Sequence, residues 1–272
     1  MKKGISFYFG YKVEPEERAK MLEDAGFECV MTIADPRFDN QNGTIEKQVE
    51  LFKKYNLAHS SLHMKYRQIE LPEFWKEGEI GDKMEQNLID DVKVAKKFGF
   101  SCVVVHLFGE FNEIGLRRLD HVLEICKECN IPLAIENIND QKIFLQTMKH
   151  YKNNPLVKMC YDCGHHHLVD PEFDYISNFA DKIICLHLHD NAGPQEVPNI
   201  DIDDNHTLNK YGTIDWSELA KRLAEIPNDV NLDYELIFNV KCPETAEEVV
   251  SIAIKQAREL EEKIKFYKNQ SK

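Results

Sequence analysis

Residues 157–165 read VKMCYDCGH, and residues 183–191 read IICLHLHDN. Each stretch begins as a short, mostly apolar run, which is typical of a strand buried on both faces of a parallel sheet. Each then ends in side chains that can bind metal, namely Asp162 and His165 in the first stretch and His187 and His189 in the second. The pattern indicates parallel strands with polar, metal-binding side chains at their carboxyl ends.

The same alternation of an apolar run and an amphipathic segment extends in both directions from these two stretches. The predicted strands are Gly4–Tyr8, Phe27–Ile33, Ala58–His63, Cys102–Leu107, Pro132–Glu136, Val157–Tyr161, Ile183–His187 and Asn231–Leu236. The predicted helices are Pro15–Ala25, Thr44–Tyr55, Gly81–Phe98, Glu113–Cys129, Asp140–Tyr151, Pro171–Phe179, Asp215–Glu225 and Glu244–Tyr267. Eight strand–helix units in 272 residues predict an α/β protein, a single (β/α)₈ TIM barrel spanning residues 1–272.

An open, doubly wound sheet is the main alternative to a closed barrel. Such a sheet usually carries closely spaced glycines after its first strand, where they bind a phosphate, and this chain has no such motif there. Gly26 and Gly99 directly follow helical runs instead, where they suit left-handed caps before the next strand. Residues Asn191–Gly212, rich in Asp, Asn, Gly and Pro, form the one long predicted loop, after strand seven.

Composition narrows the function classes. The formal net charge of −13 gives no global attraction for nucleic acid, although a local basic groove can still bind a backbone. No stretch has the ~20 apolar residues that a membrane span needs. The eight cysteines are scattered, which favours the reducing cytoplasm. Two C-x-x-C pairs, Cys126–Cys129 and Cys160–Cys163, fall on a predicted helix and a predicted strand, so we do not expect them to form a four-thiol zinc site.

Metal-capable side chains follow six successive predicted strands, always at the carboxyl end. They are His63, His106, Glu136, Asp162, His165, His187, His189 and Glu235, and the loop after strand seven adds Asp204 and His206. In a barrel these ends converge on one mouth, where active sites lie. A single His or Glu beside a buried strand is usually structural, but repetition at six strand ends predicts a divalent metal site. Imidazole and carboxylate ligands together suit Zn²⁺, Mn²⁺, Fe²⁺ or Co²⁺ better than Mg²⁺ or Ca²⁺.

Other polar residues near the strand ends have weaker assignments. Lys65, Tyr66 and His189 are expected to contact substrate, and His166 and His167 to lie on the rim. Phe74 and Trp75 lie in the long loop Leu71–Gly81, where we expect them to pack under the loop, although they could also cover the mouth.

Three motifs resemble those of the xylose isomerase-like TIM-barrel superfamily. They are D-C-G-H at Asp162–His165, H-L-H-D-N from His187, and D-N-H…Y-G-T-I-D-W across Asp204–Trp216. The superfamily includes sugar and sugar-phosphate isomerases and epimerases as well as endonuclease IV, of AP endonuclease family 2. The resemblance spans nearly the whole chain and implies a carbohydrate substrate, with a homodimer as a further expectation.

The isomerase and epimerase branch implies one metal ion, held by Glu136, Asp162, His187 and Glu235. In that branch the residues matching Glu136 and Glu235 also move a proton beside the sugar carbonyl, which is sensible because a metal-polarised carbonyl acidifies the adjacent C–H bond. His63, His106 and His165 would then orient substrate or hold a second metal.

The endonuclease branch implies a site of two or three zinc ions. Its ligands match His63, His106, Glu136, Asp162, His165, His187, Asp204, His206 and Glu235. The chain departs from that branch in three places, with Cys163–Gly164 where the endonuclease has Thr-Cys, His189 where it has Asn, and no DNA-probing loop motif around Tyr66. We therefore expect a metal-dependent sugar isomerase or epimerase. A phosphodiester hydrolase acting on abasic-site DNA, a non-catalytic sugar-binding barrel and a lyase remain as alternatives.

Overall fold

The computed structural model of the chain describes residues 1–194, 203–237 and 242–270. Eight parallel strands form one sheet. They are β1 (Lys3–Ser6), β2 (Cys29–Ile33), β3 (Ala58–His63), β4 (Cys102–Val105), β5 (Leu133–Glu136), β6 (Val157–Asp162), β7 (Ile183–His187) and β8 (Leu232–Tyr234). Consecutive strands pair from β1 to β7, and β8 pairs with β1. The Leu188 amide donates to Asp233 O at 2.9 Å and the Glu235 amide to Leu188 O at 3.0 Å, which joins β7 to β8. The predicted (β/α)₈ TIM barrel is confirmed.

The helices connect the strands on the outside of the barrel. They are α1 (Pro15–Ala25), α2 (Asp39–Asn42), α3 (Ile45–Lys54), α4 (Glu79–Phe98), α5 (Glu113–Cys129), α6 (Gln141–His150), α7 (Cys163–Val169), α8 (Tyr175–Phe179), α9 (Trp216–Leu223) and α10 (Ala246–Gln270). Short 3₁₀ segments cover Pro36–Phe38, Gln68–Trp75 and Asn209–Tyr211. Gly26 and Gly99 have φ of +96° and +83°, so both predicted left-handed caps are confirmed.

All eight predicted strands are present, with ends that differ by at most two residues, but the segment after β6 was predicted incorrectly. A helix was expected over Pro171–Phe179, whereas α7 begins directly after the strand and α8 begins only at Tyr175. Aspartate caps explain both starts, because the Asp162 carboxylate accepts from the His165 amide and the Asp174 carboxylate from the Ser177 amide. Thr207 of the predicted loop pairs with Asp190, directly before the loop, and residues 195–202 lie outside the described residues.

The core has two parts, which together direct the functional side chains to one end. The larger part fills the space between the sheet and the helices. The smaller part lies in the centre of the barrel and consists of short side chains, Cys102, Val104, Ala134, Cys160 and Cys185. The longer polar side chains stand at the carboxyl ends of the strands above it. No helix in the described part of the chain is long and apolar enough to cross a bilayer.

Candidate metal centre at the barrel mouth

Four predicted ligands form the centre of the mouth. Glu136, Asp162, His187 and Glu235 each offer a ligand atom, and these atoms lie within 4.8 Å of one another. His187 Nδ1 is 3.2 Å from Glu136 Oε1, 3.2 Å from Glu235 Oε2 and 3.9 Å from Asp162 Oδ2. Glu136, Asp162 and His187 are the last residues of their strands, and Glu235 follows β8 directly. We name these four residues the central cluster.

His63, His106 and Glu136 form the first flanking cluster, on the side of β3 and β4. His106 Nε2 lies 3.0 Å from Glu136 Oε2 and 3.2 Å from His63 Nε2. His63 Nδ1 lies 3.1 Å from Met64 O. A carbonyl oxygen can only accept a hydrogen bond, so the proton belongs on Nδ1 and the Nε2 lone pair is directed into the mouth.

His165, His189, Asp204 and His206 form the second flanking cluster. Asp204 Oδ2 lies 3.2 Å from His165 Nε2 and 2.6 Å from His206 Nε2. The Nδ1 atoms of these two histidines lie 3.1 Å from Asn137 O and 3.0 Å from Glu235 O. Both rings are therefore oriented like His63, with Nδ1 on a backbone carbonyl and Nε2 toward the mouth.

Local structure accounts for the convergence of Asp162 and His165. Asp162 ends β6 and caps α7, and its Oδ1 accepts from the His165 amide at 2.7 Å. Asn137 fixes this strand end against β5, because its side chain accepts from the Asp162 amide and donates to Asp162 O, both at 2.8 Å. Asn137 was not among the residues predicted from the sequence. The only available signal was its place directly after Glu136, because an amide at a strand end can satisfy the neighbouring backbone.

His189 occupies space that a glycine leaves open. Its ring is fully buried, its Nε2 lies 3.0 Å from Asp162 Oδ2, and it stacks on the His206 ring at a centroid separation of 3.8 Å. A Cβ atom on Gly164 would lie 2.0 Å from His189 Cε1. The two sequence departures from the endonuclease pattern, at Gly164 and at His189, are therefore one packing arrangement.

The electrostatics of the mouth are dominated by mutual contact of buried carboxylates and imidazoles. Burial alone would raise the pKa of Glu136, but the charges of His187 and His106 hold it well below its ordinary value. Burial would lower the pKa of His206, but Asp204 raises it to about 9. The pKa values of His165 and His187 are raised as well, so without a cation these three imidazoles retain protons that neutralise the carboxylates.

The residues present fit a divalent cation. Glu136 Oε1 and His187 Nδ1 lie 3.2 Å apart, but neither of these buried atoms, nor His187 Nε2 or His189 Nδ1, makes a well-aligned hydrogen bond within the described structure. Leaving such atoms unsatisfied is costly, and coordination would satisfy those that face the mouth. The donors are imidazole nitrogens and carboxylate oxygens, the set that Zn²⁺, Mn²⁺, Fe²⁺ and Co²⁺ accept.

The remaining residues that were predicted to contact substrate or to lie on the rim are not all at the mouth. Tyr66 lies at the mouth, with its ring 4.6 Å from that of His106, and burial raises the pKa of its hydroxyl. Lys65 is not brought to the clusters, because its ammonium lies 3.0 Å from Asp91 Oδ1 on α4. His166 and His167 contact the Tyr161 hydroxyl and Thr213 Oγ1, at 2.7 and 2.8 Å.

The clusters open onto a cavity of about 300 Å³, which we name the metal-side cavity. Tyr66, His106, Asn139, His206 and Glu235 are among the residues that line it. This volume accommodates a small polar molecule. Among the described residues, no group of side chains close enough to share an ion combines the two C-x-x-C pairs.

Comparison with solved structures shows the same fold in several other proteins. The chain aligns with a D-tagatose 3-epimerase-like protein at 18% identity and a TM-score of 0.74, covering 100% of both chains. It aligns with the IOLI protein with a binding zinc atom at 16% identity and a TM-score of 0.71, covering 98% of this chain and 99% of that one.

A third structure is 3-keto-D-glucoside 4-epimerase from E. coli in its apo form, at 14% identity and a TM-score of 0.69, covering 95% of this chain and 100% of that one. No curated protein matches the chain by sequence. The sequence profile of one family matches residues 19–268, nearly the whole chain. The chain therefore belongs to the family of xylose isomerase-like TIM barrels.

Proposed function

We propose that the protein is a divalent-metal-dependent isomerase or epimerase acting on a sugar or a sugar derivative. The observation that carries the proposal is the placement of Glu136 and Glu235. Their carboxylates come from β5 and the end of β8, and each has an oxygen 3.2 Å from the same His187 nitrogen. Two carboxylates that converge on one small site can remove a proton from carbon and return it.

Glu136, Asp162, His187 and Glu235 would hold the cation. When bound, it would polarise a carbonyl and its neighbouring hydroxyl group and so acidify the adjacent C–H bond. Glu136 or Glu235 would accept that proton at a carboxylate oxygen, and the carboxylate that is better placed on the product side would return it. Burial of both side chains keeps bulk water away from the exchanging proton.

The flanking clusters would orient the substrate. The imidazoles of His63 and His106 stand beside Glu136, and those of His165 and His206 stand beside Asp204. The rings of His63, His165 and His206, whose Nδ1 atoms lie on backbone carbonyls, are preorganised, and their Nε2 atoms can bind sugar hydroxyls without losing rotamer entropy.

Solvent exchange tests the proposal. Metal-loaded protein is incubated in D₂O with a panel of ketoses, ketose phosphates and keto-glycosides, and deuterium on carbon is measured by NMR. We expect incorporation next to the carbonyl of at least one compound, lost in Glu136→Gln and Glu235→Gln. Exchange that survives both substitutions, or that is absent across the panel, would contradict the proposed chemistry.

A metal-dependent phosphodiester hydrolase is the second candidate, and one observation favours it. Three groups of ligands lie side by side, and Glu136 belongs to two of them, which is an arrangement suited to two or three closely spaced ions. Such ions can generate hydroxide and stabilise both oxygens of a displacement.

Metal stoichiometry and cleavage of abasic-site DNA separate the two candidates. One ion per chain and no cleavage support proton transfer. Two or three ions per chain, together with cleavage that fails in His165→Ala, support the hydrolase.

A further inference from the structure

A second cavity, of about 500 Å³, lies beside the metal-side cavity, and we name it the side cavity. It is formed by residues from β1, β2 and the segments that follow them. The apolar residues that line it include Phe7, Met31, Ile33, Phe38 and Ile237. The two cavities share wall residues, including His63, Tyr66 and Glu235, so the side cavity opens directly onto the candidate metal centre.

Three polar side chains that line the side cavity, those of Ser6, Thr32 and Asn42, already have protein partners. Ser6 Oγ donates to Leu236 O at 3.2 Å, and Thr32 Oγ1 donates to Gln48 Oε1. Asn42 Oδ1 accepts from Arg18 Nη1 at 3.0 Å. These groups have little capacity left to recognise the hydroxyls of a polyol. The metal-side cavity differs, because Glu136 Oε1 and Asn139 Oδ1 have no hydrogen-bond partner there.

The two cationic side chains that line the side cavity, Arg37 and Arg67, are not arranged to bind a phosphate. Arg37 Nε lies 3.0 and 2.9 Å from the two carboxylate oxygens of Asp35, which neutralises its charge. The side chain of Arg67 is 61% exposed, and its guanidinium lies 3.9 Å from Glu70. A phosphate in the apolar part of the side cavity would lose its hydration without gaining a buried cation in return.

From this division we infer that the substrate is amphiphilic, with a polar carbonyl-bearing head at the metal centre and an apolar or aromatic substituent in the side cavity. The inference rests on the proposed function for the identity of the head. The apolar character of the substituent is inferred from the residues that line the side cavity. Phe38 and Ile237 are 36% and 37% exposed in the free protein, and an apolar group seated against them would remove that surface from water.

Two metal-chelating probes test the inference without requiring the natural substrate. Acetohydroxamate and benzohydroxamate share one chelating head and differ in a methyl or a phenyl group. Binding to cobalt-loaded protein is followed by the visible spectrum of the cobalt and by calorimetry. We expect benzohydroxamate to bind roughly tenfold or more tightly than acetohydroxamate, because its ring is buried.

Variants assign the preference to the side cavity. Phe38→Ala and Ile33→Asp should reduce the ratio of the two affinities to about threefold or less, because the first removes apolar wall, the second adds a charge to it, and neither residue lines the metal-side cavity. Phe266→Ala is the matched control, because Phe266 is 58% exposed on α10 and lines neither cavity, and it should keep the wild-type ratio.

Equal affinities in the wild type, a ratio unchanged in both variants, or no binding of either probe would overturn the inference. A phenyl preference that holds while no sugar exchanges deuterium would support the side cavity and contradict the proposed function. Deuterium exchange with simple ketoses, without a preference for the phenyl probe, would support the proposed function and contradict the assignment of the side cavity.

Discussion

At the scale of single residues, the contact between Gly164 and His189 is the most informative. An alanine at position 164 would place its Cβ 2.0 Å from His189 Cε1. Helix propensity favours alanine over glycine by about 1 kcal/mol, whereas forcing a methyl group into a packed site costs about 1–3 kcal/mol. The steric effect wins, so we expect Gly164→Ala to destabilise the protein and to displace His189 from Asp162.

Urea unfolding of the metal-free protein measures this effect. The double variant Gly164→Ala/His189→Ala is the control, because removing the ring removes the clash, and it should be less destabilised than the sum of the two single changes. Strict additivity of the two changes would show that the methyl group and the ring do not compete for one space.

Glu136 is the residue on which both candidate functions depend. Its oxygens contact His106, His165 and His187, and replacement by glutamine keeps the shape while removing the charge. We expect Glu136→Gln to lower metal affinity at least tenfold and any proton exchange at least ~100-fold.

Competition with a chelating dye and NMR exchange rates provide the two measurements for Glu136→Gln. Glu259→Gln is the matched control, because this glutamate is 58% exposed on α10, and it should change neither quantity. Wild-type metal affinity in Glu136→Gln would remove this carboxylate from the set of ligands.

At the scale of elements, the 3₁₀ segment Gln68–Trp75 is held down by one arginine. The buried Arg118 of α5 donates to Phe74 O at 2.6 Å and to Lys76 O at 2.7 Å, and pairs with Asp82. Trp75 is buried beneath this segment, against Gly115, which confirms the expectation that it packs under the loop.

We therefore predict that Arg118→Met destabilises the protein by about 2–4 kcal/mol, because the buried carbonyls lose their charged donor. Urea unfolding measures the loss, and hydrogen exchange should show faster opening between Gln68 and Asp82. Arg117→Met is the matched control, since the side chain of Arg117 is 64% exposed and its ion pair with Glu77 contributes little. Equal stability of the two variants would mean that Arg118 does not hold the loop.

At the scale of the whole molecule, we expect the histidines of the candidate metal centre to govern how the free energy of unfolding depends on pH. The folded-state pKa of His206 is about 9, above its unfolded value of about 6.5, and those of His165 and His187 are also raised. A histidine whose pKa is raised on folding increases the free energy of unfolding. This contribution is complete below pH ~6.5 and is lost as the pH rises toward 9. The metal-free protein should therefore become less stable over this range.

A bound cation should reverse this trend, because protons compete with it for the same nitrogens. Thermal unfolding between pH 6.5 and 9, with a chelator and with added Zn²⁺ or Mn²⁺, measures both slopes. Metal-free protein that becomes more stable as the pH rises through this window would show that the imidazoles do not retain their protons.

Much of this architecture could be predicted from the sequence, because it depends on local patterns. Strands buried on both faces are continuous apolar runs, so the places of Glu136 and His187 at the ends of their strands could be predicted from the sequence alone. The start of α7 was missed because its cap, Asp162, also reads as a strand-end ligand. The position of the Lys65 ammonium is set by Asp91, 26 residues away in the sequence. The side cavity forms because β1 and β2 lie beside β8 in the barrel. Such contacts between distant segments leave no local pattern.

Glu136 belongs both to the central cluster and to the first flanking cluster. A carboxylate that donates charge to one ion has less to offer a second, so the two positions are thermodynamically linked. Ions bound at both positions would therefore not follow two independent isotherms, and the affinity measured for the second ion would depend on the charge and size of the first.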